Sequence, residues 1–291
     1  MTHKYNVHKD FRLLSLYTAP SGSIIYKLGN AVLDMLPKGM RSTPELEIRR
    51  EGNKYIITPN APGNAKLPCC LFIHGGGFNF KAAPYHYRIA KEYALSTGTV
   101  TIMIDYRIAY NSRYGTPLRD CIDAWEWMCA HDKELRIDIR KSTMIGDSAG
   151  GFLAVKTAIC SKVKASRIML VYPVIDCSMS SNSMRSLTNT PIWNPELNRK
   201  MWNSYLQGNH EESLLELDSR RFESLSDCYV ETAEFDCLRD EGEAFAHKLE
   251  AIGVRVSLHQ TNGTTHGFDI MSKSSITQEQ MHKRKEWLKY P

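Results

Sequence analysis

Residues Gly146-Asp147-Ser148-Ala149-Gly150-Gly151 constrain this chain more than any other stretch. They follow the apolar run Thr143-Met144-Ile145, which reads as a buried strand, and precede Phe152-Leu153-Ala154-Val155, which opens a helix. The backbone must therefore turn sharply at the serine. Glycines on either side of such a turn leave room where a Cβ would meet neighbouring backbone. A strand that ends in a tight turn and leaves as a helix is one unit of an alternating β/α chain, and the rest of the sequence keeps that rhythm.

Residues 45–50 and 55–58 read as a leading hairpin, turned at Glu51-Gly52-Asn53. Residues 67–73 are a continuous apolar run ending in Gly75-Gly76-Gly77, and residues 100–104 are another. Parallel strands covered by helices on both faces have this character. Helical spacing runs through 85–96 and 118–130, and a further helix is expected from about Gly150 to 161. Strands are expected at 142–145, 167–174, 228–234 and 254–260, with a last helix at the C-terminus. The expected fold class is α/β, a mostly parallel sheet flanked by helices, as one domain over residues 1–291. Residues 176–221 break the pattern: they are polar, helical at 195–206, and carry Trp193 and Trp202. An aromatic-rich insertion between strands is expected to cap a ligand cleft, from about 177–221, joined by residues 1–40 with their helix-prone stretch at 24–36.

A content of 42% hydrophobic and 24% charged residues fits a globular chain with a substantial core. The formal charge of +5 is mild, so nucleic acid is not an expected partner. The one basic knot, His282-Lys283-Arg284-Lys285, reads as the solvated face of a terminal helix. Eight cysteines with no C-x-x-C and no apolar leader at the N-terminus read as reduced core residues of a cytoplasmic protein. The apolar runs fall short of the roughly 20 residues of a membrane span, so no membrane anchor is expected.

Ser148 sits in G-x-S-x-G, where the amide of Ala149 at the helix start faces a reacting carbonyl oxygen. His74-Gly75-Gly76-Gly77-Phe78, after an upstream strand, lets further amides approach a developing oxyanion. With no G-x-G-x-x-G and no G-K-[ST], a phosphate cradle is the weaker reading. A serine hydroxyl needs a base and the base an orienting acid. Among ten histidines, His266 lies in the short loop Thr264-Thr265-His266-Gly267-Phe268 expected after the last strand. His3, His8, His86, His131, His210, His247 and His282 read as surface residues, His259 as part of the strand, and His74 as a holder of the glycine turn. Asp236 is the first carboxylate past its strand, and Asp240, about a turn farther on, is the alternative acid or a helix-capping residue. The order Ser148, Asp236, His266 is that of α/β hydrolases. Asp147 is expected to stay outside this set, bracing a neighbouring loop or contacting the cap. Phe78, Trp193 and Phe268 are candidates for lining the substrate pocket or, equally, for core packing.

Together with Asp105-Tyr106-Arg107-Ile108-Ala109, Leu238-Arg239-Asp240-Glu241-Gly242 and His266-Gly267-Phe268, these motifs resemble the hormone-sensitive-lipase family, or bacterial family IV, over about residues 67–270. The resemblance implies an eight-stranded α/β-hydrolase sheet with a helical cap. It also implies an oxyanion hole from the amides of Gly76, Gly77 and Ala149, with Gly75 supporting the turn, and carboxylesterase activity on short, often acetyl, esters. Tyr110-Asn111-Ser112-Arg113 replaces the family's Pro-Glu-His-Pro, which bears on substrate preference rather than on the reaction. The expected partner is a small ester, no cofactor or metal is called for, and a homo-oligomer stays open. An amidase or peptidase, or a non-catalytic binder of a small ligand, is the alternative on the same scaffold.

Overall fold

The computed structural model describes residues 5–60, 63, 65–211 and 213–289; His3 and the other three leading residues of the expected cap lie outside these. The sheet has eight strands in the order β1-β2-β4-β3-β5-β6-β7-β8. β1 (Leu46–Glu51) and β2 (Lys54–Pro59) form the expected hairpin, and β2 runs antiparallel to β4 (Val100–Ile104). From β4 onward, β3 (Leu67–Ile73), β5 (Ile137–Asp147), β6 (Arg167–Val171), β7 (Asp227–Phe235) and β8 (Arg255–Thr265) are parallel. All parallel strands thus deliver their following loops to one edge, where ligand sites of such sheets form.

Strand β3 shows why the apolar runs are continuous. Cys69, Leu71 and Ile73 pack to one side with Trp125 of α3 (Thr116–Ala130) and Phe152 of α4 (Ala149–Cys160). Cys70 and Phe72 pack to the other side with Tyr87 and Tyr93 of α2 (Pro84–Thr97) and Met281 of α8 (Ser275–Leu288). Both faces are buried, so neither alternates with polar residues. α7 (Arg239–Ala251) connects β7 to β8. β8 runs five residues beyond its expected end at 260, because Thr261 and Thr265 still pair with Ala233 and Phe235 of β7. His266 still lies in the turn after the last strand, as expected, but is the first residue of it.

The inserted segment contributes α5 (Asn182–Ser186) and α6 (Pro195–Leu206), whose Asn194 side chain accepts the Leu197 amide as an N-cap. The N-terminal segment carries α1 (Ser23–Met35). These pieces meet. The Ile192 amide donates to the Tyr17 carbonyl at 2.7 Å and the Ala19 amide to the Ile192 carbonyl at 2.8 Å. Among the described residues no helix is long and apolar enough to cross a membrane.

The basic knot needs correcting. Lys283 and Lys285 pair at the surface with Glu279 and Glu92, but Arg284 is 1% exposed. Its guanidinium holds Glu231 of β7 at 2.6 and 3.0 Å and Asp269 at 3.0 Å. One arginine between two buried carboxylates pins α8 to the sheet and to the segment that follows His266. Removing one partner of a buried charge group leaves the others uncompensated. Arg284→Met should lower unfolding stability by about 3–5 kcal/mol, whereas Lys283→Met should stay near wild type, both read from urea denaturation midpoints.

Candidate active site

The turn after β5 places Ser148 at φ +53° and ψ −123°, a backbone conformation that non-glycine residues hold only under strong constraint. Three hydrogen bonds supply it. The Ser148 amide donates to the Val171 carbonyl of β6, and the Ser148 carbonyl accepts from the amides of Gly151 and Val174, each at 2.9 Å. A Cβ on Gly146 would stand 2.2 Å from the Gly150 carbonyl oxygen, and one on Gly150 would stand 2.1 Å from that of Ile73. Helix α4 can therefore leave the strand this closely only with glycine at both positions.

Ser148 Oγ lies 2.8 Å from His266 Nε2, and His266 Nδ1 lies 2.7 Å from Asp236 Oδ2. Asp236 is fully buried and also accepts the Leu238 amide at 3.0 Å. A carboxylate against Nδ1 keeps the proton on that nitrogen, so Nε2 presents its lone pair to the serine hydroxyl. The structure thus brings together the three residues singled out from sequence. Asp240 stands apart in the first turn of α7, accepting the Ser183 amide at 2.6 Å and pairing with Arg239. Tyr172 packs its ring 4.8 Å from that of His266 and donates to Asp269 at 2.5 Å, joining the histidine to the Arg284 group.

The glycine loop lies across this turn. Gly76 and Gly77 have φ of +114° and +57°, and a Cβ on Gly77 would stand 2.8 Å from the Trp193 ring. Among the described residues the amides of Gly76, Gly77 and Ala149 have no acceptor. Gly75 differs: its amide donates to Asp147 Oδ1 at 3.1 Å, which ties the turn that carries the other two. The expected brace is real. Asp147 Oδ2 in turn holds His86 Nε2 at 3.2 Å, while His86 Nδ1 accepts the Ala83 amide at 2.9 Å, which fixes the proton on Nε2. His86 is therefore not a surface residue but 2% exposed. The signal was present: His86, Ala90 and Tyr93 fall at helical spacing on the buried stripe of α2. Burial pushes the Asp147 carboxyl up, but His86, His74 and the Gly75 amide outweigh it and hold it below the usual range.

His74 holds the turn as expected. Its Nδ1–H donates to the Gly75 carbonyl at 2.7 Å, its ring stacks on Tyr106 at 4.4 Å, and the Tyr106 hydroxyl donates to the His74 carbonyl at 2.9 Å. Of the three pocket candidates, only Trp193 faces the site, with its ring 5.9 Å from that of His266. Phe78 takes the core alternative, stacked on Tyr205 of α6 at 4.2 Å and edge-on to Phe152 at 5.9 Å. Phe268 is likewise core, between Phe11 and Tyr172. Trp193, Leu197, Gly76 and Gly77 enclose a space of about 10 Å³ with Ser21 and Tyr26. Ser21 and Tyr26 also wall an open groove of about 680 Å³ that runs out past Tyr110, Asn203 and Gln207. Sequence reading had not marked Ser21 or Tyr26.

A family model for the α/β-hydrolase fold matches residues 70–270. The chain belongs to this family, the one to which the hormone-sensitive-lipase motifs pointed. A putative α/β hydrolase of Acanthamoeba polyphaga mimivirus is 26% identical over 76% of this chain and 66% of its own length. An ethyl acetate hydrolase of Pseudomonas putida is 29% identical over 72% of this chain and 68% of its own. The chain thus spans about two thirds of the length of these relatives. A thermostable esterase of Pseudomonas putida, known as a crystal structure, superposes with a TM-score of 0.82 at 26% identity, covering 97% of both chains.

Burial lowers the His74 pKa from its ordinary 6.5 to about 4, with His86 adding to the shift. A histidine whose folded pKa is depressed stays neutral while the unfolded chain takes up a proton, so stability is lost as pH falls from 6.5 towards 4. The loss from this residue should be roughly 3 kcal/mol. His74→Asn should show a shallower decline over that window in urea titrations at stepped pH; an unchanged slope would contradict the assignment.

Proposed function

We propose that this chain is a serine carboxylesterase that hydrolyses short-chain, acetyl-like esters through Ser148, His266 and Asp236. The observation that carries the reading is the unbroken line from Ser148 Oγ to His266 Nε2 at 2.8 Å and from Nδ1 to Asp236 at 2.7 Å, set beside a glycine loop with unengaged amides. His266 takes the Ser148 proton as Oγ attacks the ester carbonyl carbon. The amides of Gly76, Gly77 and Ala149 stabilise the oxyanion, each by roughly 3 kcal/mol of barrier. His266 then gives the proton to the departing alcohol. Water, deprotonated by His266, attacks the acyl-enzyme, and the acid leaves as Ser148 recovers its hydrogen. Asp236 holds the imidazole tautomer throughout.

The acetyl preference draws support from Trp193, which closes on Gly77 and leaves little room beside the loop. Esterase relatives, among them the ethyl acetate hydrolase, support the choice of ester over amide. We place the enzyme in the cytoplasm, where its eight free cysteines, only Cys160 of them exposed, would stay reduced.

Ser148→Ala should reduce p-nitrophenyl acetate turnover by at least about 10⁴-fold with an unchanged melting curve, and Asp236→Asn by about 10⁴-fold. A series of p-nitrophenyl esters from acetyl to palmitoyl should peak at the short end. Undiminished turnover in Ser148→Ala would overturn the nucleophile, and a palmitoyl optimum would overturn the acyl preference. Faster cleavage of a matched anilide would point to an amidase.

A further inference from the structure

Helix α1 is built inside out. A surface helix normally turns its apolar stripe to the core. In α1 the buried side chains are Tyr26 and Asn30, while Ile24, Leu28, Val32 and Met35 are 74, 62, 56 and 85% exposed. These four recur at i, i+4, i+8 and i+11, and Ile25 at 39% exposure widens the same stripe. Leu13 and Leu16, in the preceding segment, are 74 and 70% exposed. Tyr17 and Leu36 in the same segment are exposed too, whereas Leu95, Val163 and Ile270 stand singly elsewhere on the described molecule, which makes this concentration an anomaly rather than ordinary surface.

The inward face is specifically held. Asn30 Nδ2 donates to the Asn79 carbonyl at 2.9 Å, and Asn30 Oδ1 accepts the Lys81 amide at 2.7 Å. Tyr26 packs edge-on against Phe80 at 5.2 Å, and Gly29 lies so close to Phe80 that a Cβ would stand 2.9 Å from it. Those contacts fix which way the helix faces, so the apolar stripe is presented outward by construction. Asn79 itself donates through Nδ2 to the Gly77 carbonyl at 2.9 Å. The outward-facing helix is thus two hydrogen bonds from the glycine loop, and its Ser23 and Tyr26 wall the open groove, which shares Ser21 and Tyr26 with the small space beside Gly76 and Gly77.

We propose that α1 is a docking surface for an anionic membrane, on which it lies in the interfacial plane with Ile24, Leu28, Val32 and Met35 among the headgroups. Charge selects this occupant. The segment 5–41 carries Lys9, Arg12, Lys27, Lys38 and Arg41 against Asp10 and Asp34, and Asp34 is already paired with Lys81. Basic residues around an exposed apolar helix favour anionic lipid. A second copy of the chain fits less well: a stable dimer face takes about 20–30 residues a side, and the stripe offers five. The binding does not rest on the esterase reading. Its consequence does: an ester dissolved in the bilayer would meet the groove mouth where the enzyme sits.

The test is co-sedimentation of the full chain with sucrose-loaded vesicles of 70:30 phosphatidylcholine and phosphatidylserine, and with phosphatidylcholine alone. Wild type should bind the mixed vesicles, at least tenfold less the neutral ones, and lose binding as salt rises. Leu28→Glu/Val32→Glu, both outward-facing, should bind at least tenfold less while keeping wild-type melting behaviour and p-nitrophenyl acetate turnover. No binding to mixed vesicles, or equal binding by the double variant, overturns the proposal. So does a dimer in sedimentation velocity that the double variant converts to monomer, because the stripe would then be covered by a second copy. Vesicle binding is scored without turnover, so a Ser148→Ala protein that binds normally separates this question from that of the reaction.

Discussion

The site depends on how closely three backbone segments approach one another at the end of β5. The Gly146 and Gly150 positions leave no space for a side-chain carbon, and Ser148 is held at positive φ by bonds from β6 and from the following turn. Because the strained residue is bonded on three sides, its hydroxyl has a defined direction before any substrate arrives. Preorganisation of this kind is where such enzymes find most of their rate, since no reorganisation is left for the reaction itself. The cost is local strain of order 1–3 kcal/mol, offset by the surrounding sheet, whose central strands β3, β4 and β6 are buried on both faces.

Asp147 extends that order from Ser148 to the glycine loop. Its carboxylate takes the Gly75 amide with one oxygen and His86 with the other, so α2, β5 and the loop after β3 share one buried charge. Gly76 and Gly77 are aimed because Gly75 is tied. An asparagine at position 147 would still accept from one neighbour but would lose the charge that favours the His86 contact.

Much of this was legible in the sequence because it follows from short-range rules. Hydrophobic runs give buried strands, glycine spacing marks the turn, and the first carboxylate after β7 and the histidine after β8 land at the same sheet edge because parallel strands point the same way. What escaped is decided between elements. His86 and Arg284 carry polar signatures, yet each sits on a buried stripe opposite a carboxylate brought from elsewhere in the chain. Phe78 and Phe268 flank the key motifs but turn into the core, because α6 and the N-terminal Phe11 supply aromatic partners there. For α1 the helical period was readable, but which side faces inward depends on Asn79 and Phe80, and no periodicity encodes that.

Arg284 has a consequence for the order in which the molecule is completed. Ser148, Asp236 and His266 all precede it in synthesis, and so do Glu231 and Asp269, the two carboxylates it neutralises. A nascent chain holding the whole set of reacting groups would still have two acids with no cation to bury them against, and Tyr172 and Asp269 beside the histidine would lack their anchor. The surroundings of His266 are therefore held, through Asp269 and Tyr172, by a residue that touches neither His266 nor Ser148. The pocket around His266 is complete only with α8 docked, a helix that supplies none of the three residues of the line itself.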